Sequence, residues 1–238
     1  MKILDAAVMR GCKASYTPMQ NRLKLAKAGA GDAVDATRHL EALAEPHWAA
    51  VKQILRYVSG TMEYGCCYKR GGNSVPEVIG YSDSDHAGDV DDRRSTTGVL
   101  FFLNSRAIMW TSHKQKVVVV SSCKAEYMGE ESAACQAVWQ CWLLSELTGD
   151  VPTTTKLRVD NKSAVVLSKN PVHDERSKHI DIRYHFIREC IEDGKVDVDL
   201  IGTNGQLADI LTKALGRIMF VELRQKLGVV KVISRRKD

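Results

Sequence analysis

From Val78 onward, apolar residues switch between a two-residue and a three-to-four-residue repeat in one definite order, which most constrains what the chain can fold into. Val78 to Asp83, Thr97 to Leu103 and Ala107 to Thr111 read as three successive strands joined by short turns, with Val117 to Val120 as a further short β segment. A long helical stripe follows from about Ser122 to Leu147, with Ser122 as its N-cap and Met128, Cys135, Val138, Trp139, Trp142, Leu143 and Leu147 on one side. Trp110, Trp139 and Trp142 are expected in the core. Lys156 to Asp160 is the next strand and runs straight into a short helix from Asn161 to about Ser168, before Pro171. Ile180, Tyr184, Ile187 and Ile191 mark another helix that Gly194 stops, and Val196 to Ile201 reads as the last strand. Leu207, Ile210, Leu211 and Leu215 mark a final helix, for which Thr203-x-x-Gln206 fits a capping box. The order β-β-β-α-β-α-α-β-α predicts an α/β domain: a mixed five-stranded sheet, three antiparallel strands and then alternating β and α, with flanking helices.

What precedes Val78 is different. Residues 1 to about 45 are rich in Ala, Gly and Lys and hold no sustained period, so they read as extended or poorly ordered. Trp48, Val51, Ile54, Leu55 and Val58 then describe one amphipathic helix at about 47–59, ended by Gly60. Gly65, Gly71 and Gly72 surround a short Cys66-Cys67-Tyr68 strand, as in a linker. Three segments are therefore expected: 1–75, partly disordered; 76–228, the regular domain; and 229–238, a basic tail ending in Arg235-Arg236-Lys237.

At 44% hydrophobic and 26% charged residues the 238-residue chain lies in the globular range, which excludes collagen-like and broadly disordered readings. No apolar run approaches the roughly 18 to 20 residues of a membrane span. Asp5 sits where a signal peptide needs unbroken apolar residues, so the protein is not expected to be secreted. Its seven cysteines are scattered rather than paired at zinc-ligand spacing, as in reduced thiols inside a cell. The net charge of +5 is a mild pointer to an anionic partner.

Four acids fall where this order puts functional groups. Asp83 ends the first strand, Glu126 lies in the first turns of the long helix, Asp160 closes the fourth strand, and Asp209 lies in the second turn of the last helix. They are tens of residues apart, so only a fold can assemble them. Crowded carboxylates raise one another's pKa and persist where cations occupy the cluster. Oxygen-only ligand sets suit Mg²⁺ or Mn²⁺, and two such ions about 4 Å apart can activate water and stabilise the leaving oxygen of a phosphodiester displacement. Asp85 is a rival to Asp83, because two residues along a strand it points to the same side.

Six motifs carry a resemblance: Tyr81-Ser82-Asp83-Ser84-Asp85-His86-Ala87-Gly88-Asp89; Asp92-Arg93-Arg94-Ser95-Thr96-Thr97-Gly98; Ser121-Ser122-Cys123-Lys124-Ala125-Glu126-Tyr127; Val159-Asp160-Asn161; Ser177 to Arg188; and Gln206-Leu207-Ala208-Asp209-Ile210-Leu211-Thr212-Lys213. In this order, over about residues 79 to 228, they resemble the ribonuclease H domain of copia-type LTR retrotransposon polyproteins. His47-Trp48-Ala49-Ala50-Val51-Lys52-Gln53-Ile54-Leu55-Arg56-Tyr57-Val58 is similar to the segment that joins reverse transcriptase to RNase H there, although the stretch between Thr37 and His47 is much shorter than the family's connection. Asp89-Val90-Asp91-Asp92 imitates the polymerase V-D-D letters, yet it precedes a basic turn rather than sitting in an apolar hairpin, so no polymerase is expected.

The resemblance implies an RNase H-like fold, divalent-metal-dependent cleavage of the RNA strand of RNA–DNA hybrids, and a metal site of Asp83, Glu126, Asp160 and Asp209 holding two Mg²⁺, or Mn²⁺. Among His173, His179 and His185, His179 is the candidate for the mobile histidine that assists product release or proton transfer in related enzymes. Arg93, Arg94, Lys114 and Lys116 are candidates for a phosphate track, with nearby Ser and Thr groups reading the 2′-OH. The implied partners are the hybrid and a reverse transcriptase domain supplied by another chain. The implied setting is intracellular, a cytoplasmic virus-like particle or the nucleus. Two readings stand beside the nuclease: an inactive remnant that binds nucleic acid, and a structural partner of a reverse transcriptase.

Overall fold

Alternating apolar residues from Val78 onward do pair into one sheet, in a computed structural model that describes residues 9, 11–26, 45–68, 76–150, 154–170 and 181–232. Two compact units are distinguished: Met1–Cys67 with Asp89–Asp92 and Lys213–Asp238, and Tyr68–Gly88 with Arg93–Thr212.

In the first unit, α1 (Glu45–Gly60) is followed by β1 (Tyr64–Cys66). Later in the chain come α6 (Arg217–Lys226) and β7 (Val229–Lys231), and β7 pairs antiparallel with β1. Tyr57 of α1 meets Phe220 of α6 edge to face at 5.5 Å, and the Gln53 amide donates to Ser15 Oγ and the Thr17 carbonyl. Asp89 Oδ1 accepts the backbone N–H groups of Asp91 and Asp92, so these acids build a turn of their own.

The second unit holds β2 (Val78–Ser84), β3 (Thr96–Leu103), β4 (Arg106–Lys114), α2 (Ser122–Thr148), β5 (Thr155–Val159), α3 (Lys162–Lys169), α4 (Asp181–Glu192) and β6 (Val196–Leu200). A 3₁₀ turn at Thr203–Gly205 leads to α5 (Asp209–Thr212). The sheet order is β4-β3-β2-β5-β6, antiparallel from β4 to β2 and parallel from β2 to β6. This is the mixed five-stranded sheet of the expected RNase H-like class. Its core lies between the sheet and the helices, where Val99, Phe101, Leu157, Val159 and Val198 pack with Tyr127, Ala133, Ala134, Ala137 and Ile187.

Several local expectations are corrected. Ser121, not Ser122, caps α2, its side chain accepting from the Lys124 N–H. The face α2 turns inward is not the bulky stripe: beside Tyr127 and Glu130 it consists largely of small residues, Ala125, Gly129, Ala133, Ala134 and Ala137, where the helix comes close to its neighbours. A Cβ on Gly129 would lie 2.7 Å from Ser84 Oγ. Trp139 and Trp142 are consequently 52% and 58% exposed, and Trp110 on the edge strand β4 is 56% exposed, so none is a core residue.

Val117 to Val120 is not a strand. The β3–β4 ladder stops at Thr96 opposite Lys114, and Gln115, whose N–H still meets Ser95 O, turns its side chain inward; among the described residues no strand pairs with 117–120. The final helix is broken as well. Thr203 lies inside the 3₁₀ turn and makes no capping bond, while the Gln206 side chain reaches Ser82 O and the Ala208 N–H. Asp209–Thr212 is one turn, and Gly216 starts α6 as a separate helix.

Candidate metal centre

The two central strands bring two of the four acids to one place by register alone. In the parallel pair β2–β5, Tyr81 is opposite Arg158, so Asp83, near the end of β2, and Asp160, just past the end of β5, lie side by side at the same end of the sheet. Asn161 ends β5 there by capping α3, its Oδ1 accepting the Ala164 N–H at 3.1 Å. Glu126 arrives from the first turns of α2 and accepts the Ser84 N–H through Oε2 at 3.1 Å. Asp83 and Glu126 are buried and Asp160 is half-buried, and one carboxylate oxygen from each lies within 4.8 Å of the others.

Asp209 comes from a further element. It opens α5, is 4% exposed, and lies one turn before Thr212, whose hydroxyl donates to Asp83 Oδ2. Gln206 Nε2 on Ser82 O at 2.8 Å and Ser112 Oγ on Leu211 O at 2.7 Å fasten this turn to the sheet. Gly98, opposite Asp83 in the β2–β3 ladder, makes the approach feasible: its Cβ would fall 2.8 Å from Leu211 Cβ and 2.9 Å from Thr212 Cγ2.

Asp85 has different work. Its Oδ1 accepts the Thr96 N–H at 2.5 Å, closing the loop between β2 and β3, and Gly88 is required because a Cβ there would overlap Asp85 Oδ2. Arg93, in the left-handed region at φ 56, and Arg94 lie in that loop. Lys114 ends β4 opposite Thr96, at the end of the sheet where β2 finishes, and Lys116 follows two residues later. His173 and His179, and the side chain of His185, lie outside the described residues.

Sequence reasoning missed the groups that support the acids. Gln115 is buried and donates through Nε2 to Thr97 Oγ1 and to the Ala125 carbonyl, each at 2.9 Å, tying the start of α2 to β3. Thr212 carried a legible signal, since three residues after Asp209 on a helix it shares that residue's face. One turn past Glu126, Glu130 is fully buried; burial pushes its carboxyl up to about 8, with the Ser168 hydroxyl opposing. Burial first, then the nearby Glu130 and Glu126, also pushes the Cys123 thiol up.

The donor set fits a divalent ion. Three carboxylates gathered from separate elements supply only hard oxygen ligands, the preference of Mg²⁺, Mn²⁺ and Ca²⁺, and their mutual repulsion is what a bound cation offsets.

No family model matches the chain. It is 42% identical over 188 residues to the retrovirus-related Pol polyprotein from transposon RE2 of Arabidopsis thaliana, spanning 79% of this chain and 13% of that protein. It is 41% identical over 193 residues to the corresponding polyprotein from transposon TNT 1-94 of Nicotiana tabacum, spanning 81% and 14%. Among solved structures it is similar to LC11-RNase H1 in complex with RNA/DNA hybrid, at 14% identity and a TM-score of 0.42 over 57% of this chain and 94% of that one. The N-terminal RNase H domain of a Mycobacterium tuberculosis protein gives 13% identity and a TM-score of 0.43 over 63% and 98%.

Proposed function

This chain is a homologue of part of the retrovirus-related Pol polyproteins of plant transposons, and from that premise we propose that it is their ribonuclease H segment, a divalent-metal-dependent endonuclease acting on the RNA strand of RNA–DNA hybrids. The observation that carries this reading is the convergence of Asp83, Glu126 and Asp160 within 4.8 Å at the end of two parallel strands.

In this reading Asp83, Glu126 and Asp160 would hold Mg²⁺ or Mn²⁺, with Asp209 as the fourth carboxylate from α5. Divalent ions held by these carboxylates would supply activation of a water and stabilisation of the departing 3′ oxygen, the chemistry that would leave 5′-phosphate and 3′-hydroxyl ends. The protein's own part is to hold the ligand oxygens in place: the Ser84 N–H on Glu126 fixes one carboxylate against β2, and the Asn161 cap fixes the bend beyond Asp160. Arg93, Arg94, Lys114 and Lys116 would take the phosphates of the duplex, and neighbouring hydroxyls would distinguish RNA by its 2′-OH. His179 is the proposed group for proton transfer or product release. A reverse transcriptase domain is the proposed protein partner and the interior of the cell the proposed setting.

The test is incubation of the purified protein with a labelled RNA–DNA hybrid and Mg²⁺, beside an EDTA control and Asp160→Asn. The expected result is cleavage of the RNA strand alone, absent with EDTA and absent in the variant. If a protein folded by circular dichroism leaves the hybrid intact but retains it in a binding assay, the nuclease reading gives way to that of an inactive nucleic-acid-binding remnant.

A further inference from the structure

The carboxylates do not stand alone at the sheet edge: a hydroxyl reaches one of them from an element that carries another. Thr212 closes the single turn of α5 that begins with Asp209, and its Oγ1 donates to Asp83 Oδ2. The same turn is pinned to the sheet by the Gln206 amide on Ser82 O and the Ser112 hydroxyl on Leu211 O. At Gly98 the missing side chain lets Leu211 and Thr212 come down on the strand opposite Asp83. These hydrogen bonds fasten one turn of helix to β2 and β4 over the gap at Gly98 of β3, and the one among them that ends on a candidate ligand comes from Thr212.

We propose that Thr212 is a positioning residue of the metal centre, orienting the Asp83 carboxylate and coupling it to the turn that carries Asp209. The proposal rests on the nuclease reading above and adds to it a residue that touches no ion itself. Physically, a carboxylate bound through one oxygen still swings about its Cβ–Cγ bond. A hydrogen bond to the other oxygen removes that freedom before the ion arrives, so less order has to be imposed on binding. Groups of this kind, once mutated, typically lower metal affinity about 10- to 100-fold. Because the donor stands one turn after Asp209, the bond also sets how close the fourth acid comes to the other three.

The experiment is a calorimetric Mn²⁺ titration of the full chain in four forms: the parent, Asp83→Asn, Thr212→Val and Thr212→Ser, each checked by circular dichroism and by its metal-free melting temperature. Valine keeps the shape and loses the hydroxyl; serine keeps the hydroxyl. The expected result is Mn²⁺ binding by the parent that Asp83→Asn abolishes, affinity weakened about 10- to 100-fold in Thr212→Val, and affinity within about threefold of the parent in Thr212→Ser. Equal affinities for parent and Thr212→Val overturn the role of Thr212 and leave the metal centre standing. Absence of Asp83-dependent Mn²⁺ binding in the folded parent overturns both together. Should Thr212→Val not fold, Thr212→Ala is measured in its place, and the Ser variant must still match the parent where Ala does not.

Discussion

Glu130 shows what a single buried group does to the whole energy balance. Its folded-state carboxyl is pushed up to about 8 by burial, above the range of about 4.3 in an open chain. The folded protein therefore holds a proton that the unfolded chain releases between those values. The stability from this group is complete below the unfolded pKa and falls as pH rises to about 8, beyond which it is constant. Glutamine keeps the shape and cannot ionise. Urea midpoints measured from about pH 5 to about pH 9 are expected to fall more steeply in the parent than in Glu130→Gln, and equal slopes would show that Glu130 is not the titrating group. Gly129, the adjacent residue, is set by geometry: a Cβ would meet Ser84 Oγ at 2.7 Å and Ser82 Oγ at 2.9 Å. Gly129→Ala is expected to lower stability by about 1 to 3 kcal/mol, the usual cost of overpacking, even though Ala is the better helix former. Denaturant unfolding decides it, and a neutral or stabilising result would mean that α2 can lift away from the sheet at little cost.

Among elements, α3 is the one whose start matters to the site. Asn161 both ends β5 after Val159 and caps α3, so the backbone that carries Asp160 is held on one side by a ladder and on the other by a helix. Asn161→Ala removes the cap and is expected to cost about 1 kcal/mol. Asn161→Asp, which retains an accepting oxygen, is expected to restore most of that loss. Comparing thermal midpoints of the two variants checks the cap, and an Ala variant as stable as the parent would assign no weight to it. The long helix α2 was legible in one respect and not in another. Its extent was legible from periodicity, whereas its buried face was not: bulky residues suggested one inward stripe, and the fold instead buries Tyr127 and Glu130 together with the small residues Ala125, Gly129, Ala133, Ala134 and Ala137.

At the scale of the whole molecule, duplex binding is expected to depend on salt through basic residues at the end of the sheet where β2 finishes. Neutralising Arg94 and Lys114 together should weaken hybrid binding and reduce the slope of log K against log salt by up to about 0.9 for each phosphate that loses its counter-charge. Fluorescence anisotropy at several salt concentrations measures it, and an unchanged slope would remove both residues from the proposed phosphate track. How much of this was legible in the sequence differs by the range of the physics involved. Element order and the mixed sheet were readable because they follow from periodicity and chain connectivity, which are properties of neighbouring residues. The four acids are candidates from their places in the element order and from the resemblance of the motifs that hold them, and three of them, Asp83, Glu126 and Asp160, come together in the fold. Only the tertiary structure decided which of them meet. Parallel register sets Asp83 beside Asp160, the approach of α2 adds Glu126, and a glycine opposite Asp83 admits the turn with Asp209 and Thr212. Those outcomes depend on distances between residues far apart in the chain, for which local sequence carries no ruler.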